Sequence, residues 1–123
     1  MTRPVTQFRD ADWIITQALT RVGADSVDGP ASAEDYQLAS DRLDAVASKL
    51  AELGIYQIGD LDLVPSGAAD TIANIVALAL QPDFGDRSPQ GTSNIPPLPN
   101  LQDELRRMTP GKPAYGPQRV SFM

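Results

Sequence analysis

The chain has 123 residues, with 10 Lys/Arg against 16 Asp/Glu and a formal net charge of −6. That length suits one domain able to bury a core without metal or disulfide staples. With no cysteine and no histidine, it has no disulfide framework, thiolate zinc site or thiol nucleophile, and it lacks the commonest general base.

The charge is uneven. Residues 1–85 hold 5 basic and 13 acidic side chains, and residues 86–123 hold 5 and 3. An acidic body therefore carries a mildly basic tail, opposite in sign to what gripping phosphates requires. No apolar run approaches the roughly 20 residues of a membrane span. The polar stretch from Met1 to Asp10 lacks the core of a secretory signal, so the expectation is a protein that stays in the cytoplasm where it is made, with no membrane partner.

In chain order, the first predicted helix runs from about Thr6 to Val22. Trp13, Ile14, Ala18, Leu19 and Val22 share a face, Asp10 and Asp12 lie near its positive end, and Gly23 is a natural stop. Turn formers occupy 24–31. Ser32 then stands three residues before Asp35, a near capping box, and Tyr36, Ala39, Leu43, Val46, Leu50 and Leu53 step by threes and fours. This predicts a second helix to about Leu53, closed by Gly54 with Ile55 as the apolar residue beyond the cap.

Residues 56–64 read as a connector. A third helix opens at Pro65 or Ser66. From Ile72 to Leu80 every residue but Asn74 is apolar, and a helix apolar on nearly every side must be covered on nearly every side. Either it sits at the centre of the bundle or a second subunit covers it, which makes Ile72, Ile75, Val76 and Leu78 candidate interface residues.

Residues 82–117 hold 8 of the 11 prolines, so this region is expected to be largely extended. One short helix fits from about Asn100 to Met108. The spaced apolar residues Ile95, Leu98, Tyr115, Val120 and Phe122 favour an arm that orders on a partner over a merely solvated tail. The fold expected is all-α: a body over residues 1–85 with three main helices, then a Pro-rich arm over 86–123 with a short helix near 100–108.

Chemical constellations are scarce. There is no GxxxxGK or GxGxxG stretch, and Ser66 lacks the GxSxG context. The pairs Asp10/Asp12 and Asp60/Asp62 suit magnesium or calcium oxygen ligation, but such pairs are common in loops and helix starts. Catalytic, cofactor and metal residues are therefore assigned as none, and the chain reads as a non-enzyme.

Four stretches in this order resemble a known family: Asp12-Trp13-Ile14-Ile15-Thr16-Gln17-Ala18-Leu19-Thr20-Arg21-Val22-Gly23; Pro30-Ala31-Ser32-Ala33-Glu34-Asp35; Leu43 to Tyr56 with its Leu53-Gly54-Ile55-Tyr56 ending; and Ala77-Leu78-Ala79-Leu80-Gln81-Pro82-Asp83-Phe84-Gly85. Over roughly residues 10–85 the chain is similar to the head-to-tail adaptor, or packaged-DNA stabilisation, proteins of tailed bacteriophages. The proline density from Pro89 to Pro99 departs from that pattern.

The resemblance implies a virion protein, made in the host cytoplasm. It would form a homo-oligomeric, dodecameric ring beneath the portal protein and offer a platform to the tail or next neck protein. Packaged DNA would pass through its channel without sequence-specific contact. The expected portal-binding residues are Leu98, Leu101, Leu105, Arg106, Arg107, Tyr115, Val120 and Phe122. The alternative from another class is a small helical DNA-binding or regulatory protein. The second helix argues against it, because Asp35, Asp41, Asp44 and Glu52 outnumber Arg42 and Lys49 where a recognition helix needs donors.

Overall fold

The computed structural model describes residues 7–24, 31–84 and 95–108. The elements in chain order are β1 (Phe8–Arg9), α1 (Ala11–Arg21), α2 (Ala33–Glu52), β2 (Val64–Pro65), α3 (Ser66–Phe84) and α4 (Leu98–Met108). The body is mostly helical, as expected, and a first correction adds a small two-stranded sheet to the helices. Phe8 pairs with Pro65 and Arg9 with Val64 in an antiparallel ribbon, extended by a bond from the Ser66 N–H to the Gln7 carbonyl at 2.7 Å.

That ribbon shortens the first predicted helix. The Asp10 backbone is extended and its carboxylate accepts from the Trp13 N–H at 2.9 Å, so α1 starts at Ala11 rather than near Thr6. At the other end Gly23 has φ 80°, the Ala24 N–H reaches the Leu19 carbonyl and the Gly23 N–H that of Thr20. This is a Schellman ending, open to glycine at little steric cost. Helix α2 repeats the design. Ser32 Oγ accepts from the Asp35 N–H at 3.0 Å, Gly54 has φ 70°, and Ile55 and Gly54 donate to Leu50 and Ala51.

Helix α3 packs against α1, α2, α4 and both strands. It lies at the centre of the bundle, one of the two coverings that its composition left open. Ile72, Ala73, Val76, Ala77 and Leu80 are fully buried within the single chain. Pro82 falls in its last turn, where the missing N–H leaves the Leu78 carbonyl without its i+4 donor and the helix soon ends.

The predicted stripe of α2 is trimmed at both ends. Ala39, Leu43 and Leu50 are buried, Val46 is half-buried, and Tyr36 and Leu53 are exposed. At the start Tyr36 turns its hydroxyl to Asp12 of α1, and at the end Leu53 lies past the last turn of α2, on a groove shared with α3 and α4.

The second correction concerns the arm. Its helix starts at Leu98, two residues early, and Leu101 and Leu105 are fully buried in the same core as α1, α2 and α3. Thr71 Oγ1 also donates to Glu104 Oε1 at 3.2 Å, tying α4 to α3. Pro99 sits in the first turn, where its absent N–H needs no partner. Helix α4 therefore belongs to the body, not to a separate arm after residue 85. Residues 86–94 and 109–123 of that arm lie outside the described residues.

Candidate interaction surfaces

The later turns of α2 line the first candidate site. Val46, Leu50 and Leu53 of α2, Ile75, Leu78 and Ala79 of α3, and Leu98 of α4 line a mostly apolar groove of about 260 Å³. Leu53 is 55% and Leu98 42% exposed. A shallower hollow continues it through Val46 and Ala79 to Ala45 and Arg42. The charged side chains lining this surface are Lys49 and Arg42, both basic. Arg42 also meets Asp83 at 3.1 Å, holding the middle of α2 to the last turn of α3.

A second hollow, about 300 Å³, lies beside the ribbon, lined by Phe8, Tyr56, Ile58, Asp60, Leu63 and Pro65 among others. Phe8 is 54% and Leu63 60% exposed. Its charged lining residue is acidic, Asp60. The two surfaces share no lining residue.

Neither Phe8 nor Leu63 stood out in the sequence. Phe8 is a lone apolar side chain among polar residues, and Leu63 belongs to the short alternation Asp60-Leu61-Asp62-Leu63, too brief to mark a strand. Burial of Val64 turns Leu63 outward, because successive side chains of an extended backbone face opposite ways.

The Asp-x-Asp pairs converge on one place, where they serve the backbone. Asp10 caps α1, the Ala11 N–H donates to Asp62 at 3.2 Å, the Asp62 N–H donates to Asp60 at 2.9 Å, and Asp12 accepts from the Tyr36 hydroxyl at 2.6 Å. Among the described residues no group of three or more Asp/Glu is placed to hold a metal ion. The bond to Asp12, partial burial and the negative field of Asp10 and Asp62 push the Tyr36 hydroxyl up from 10.0 to about 12. Burial also raises that of Tyr56.

Asn74, the polar exception in α3, has a structural partner. Arg21 donates to Asn74 Oδ1 at 2.9 Å and to the Asp70 carboxylate at 2.8 Å, clasping the end of α1 to α3. Near the ribbon the Arg9 guanidinium stacks 4.7 Å over the Trp13 ring.

The residues singled out from sequence divide accordingly. Leu101 and Leu105, expected in the portal contact, are core residues, because α4 uses its apolar side on α3. Arg106 and Arg107 are exposed, Arg106 pairing with Asp103 at 3.1 Å. Leu98 lines the groove. Tyr115, Val120 and Phe122 lie outside the described residues. Of the interface candidates, Ile72 and Val76 spend their apolar surface within the chain, whereas Leu78 and the edge of Ile75 reach the groove.

No helix among the described residues is long and apolar enough to cross a membrane. No protein family, curated protein or solved structure matches this chain.

Proposed function

We propose that this chain is a structural subunit of the head-to-tail adaptor kind, repeated in a ring under the portal protein at a bacteriophage capsid vertex. There it extends the DNA channel, retains the packaged genome and receives the tail. The observation that carries the reading is a closed core that still leaves two separate apolar surfaces outside it, the α2/α3/α4 groove and the ribbon patch. A small body with apolar patches at two places is built to join neighbours on two sides.

The sequence resemblance supports the same reading. Its four stretches fall on α1 with its glycine ending, the capped start of α2, the close of α2 and the last turns of α3. These boundaries set helix lengths and connections. The portal contact is assigned to Arg106 and Arg107 at the exposed end of α4 and to Tyr115, Val120 and Phe122 beyond it, without Leu101 and Leu105. The acidic body suits a channel wall, since like charges keep DNA from adhering to it.

Negative-stain imaging of portal-bearing capsids with and without the protein tests the proposal. A ring of added density at the portal vertex is expected, and removal of residues 110–123 should abolish it while the body stays folded. Capsids that acquire no density from the full chain would reject the adaptor reading. Salt-sensitive binding to duplex DNA by the isolated protein would instead favour a DNA-binding role.

A further inference from the structure

The geometry points to a defined contact between copies of this chain: the α2/α3/α4 groove of one copy receives the ribbon patch of the next. The inference rests on the repeated-subunit reading above and names the surfaces that would meet. Three observations select a second copy as occupant. Each surface exposes large apolar side chains outside the core, Leu53 and Leu98 on the groove, Phe8 and Leu63 on the ribbon. The two have no lining residue in common, so a copy can use both at once. Their charges are of opposite sign, with Lys49 on the groove side, where Arg42 is already paired with Asp83, and Asp60 on the ribbon side.

The apolar parts supply attraction and the charges fix orientation, since exposed ion pairs contribute little affinity but penalise a wrong register. A contact between two different patches is head-to-tail. Repeated, it closes into a ring when the rotation between copies permits and continues as a filament when it does not. It also gives Leu53 a role that the fold of one chain does not. Leu53 continues the apolar spacing of α2, yet is 55% exposed.

The chain has no cysteine, so single introduced thiols report unambiguously. Full-length Leu53→Cys and Leu63→Cys chains would be treated with a short thiol cross-linker separately and as an equimolar mixture. Both positions are exposed, so the core is untouched. The mixture should give severalfold more cross-linked dimer than either chain alone. Adding Lys49→Glu to the first chain or Asp60→Lys to the second should lower that yield, and combining the two should restore it.

Equal yields from the mixture and the single chains, or no dimer from any of them, would overturn the inference. So would cross-linking of Leu53→Cys to Val120→Cys within one chain, which would give the groove to the chain's own C-terminal segment. Repeating the reaction on capsids separates this inference from the adaptor reading. Capsid-bound protein without the cross-link rejects only the contact, whereas a cross-linked assembly that ignores capsids rejects only the adaptor role.

Discussion

Helices α2 and α3 are nearly equal in length, 20 and 19 residues, but they bury very different amounts. Three side chains of α2 are buried, Ala39, Leu43 and Leu50, against ten of α3. The helix with the more regular apolar spacing is peripheral, and the helix with little contrast between its faces is central. A clean stripe marks a helix with one face on the core and the other in water. Its loss in α3 marks a helix with neighbours all round, here α1, α2, α4 and the ribbon.

The sharpest way to break this contrast is to cut into α3. Ile72→Ala removes a fully buried side chain and should cost about 2–5 kcal/mol, the range for large-to-small core changes that leave a cavity. Urea unfolding should show it as a lower midpoint with an unchanged slope. The exposed Leu53→Ala on α2 should move the midpoint little.

Leu105→Ala tests whether α4 belongs with α3. As a fully buried residue it should also lose about 2–5 kcal/mol. A negligible loss would return α4 to the arm.

A smaller effect is expected where α2 ends. A Cβ on Gly54 would meet nothing within 4 Å, but φ is +70°. Gly54→Ala should therefore cost about 1–2 kcal/mol from left-handed backbone strain alone. An unchanged stability would mean that the turn has rearranged.

The smallest effect concerns the Tyr36–Asp12 bond that ties the start of α2 to α1. Folding favours the protonated hydroxyl, since its folded value is about 12 and its ordinary value 10.0. The stability it contributes is therefore complete below about pH 10 and lost as pH rises through about 12. Phenolate absorbance should show Tyr36 titrating late, and Asp12→Asn should bring it back toward 10.0. No change in the titration of the Asp12→Asn protein would remove the bond from the account.

The same contrast shows how much was legible before folding was considered. Ser32 and Gly54 announced both ends of α2, and Gly23 the end of α1, because caps are local hydrogen-bond chemistry carried by residues a few positions apart. The start of α1 was misplaced because β1 exists only through its pairing with Val64 and Pro65, more than fifty positions away. The burial of Leu101 and Leu105 within the body went unforeseen for a related reason. Their helical spacing gave α4 an apolar side, but proline density marked the surrounding segment as extended, and no local pattern said that this side would pack on α3. The groove was visible only in fragments: Leu53 stood in the α2 stripe, Leu78 among interface candidates and Leu98 among arm residues.

By itself the sequence determined which segments are helical, where α2 begins and where α1 and α2 stop, and that α3 needs cover on nearly every side. Each of these follows from periodicity or from capping within a turn or two of chain. Tertiary structure alone decided that α4 and the ribbon complete that cover, that the Asp-x-Asp pairs serve backbone N–H groups and Tyr36, and that Leu53, Leu78 and Leu98 meet in one groove. Those outcomes depend on contacts between distant segments, and no local pattern encodes where two such surfaces will meet.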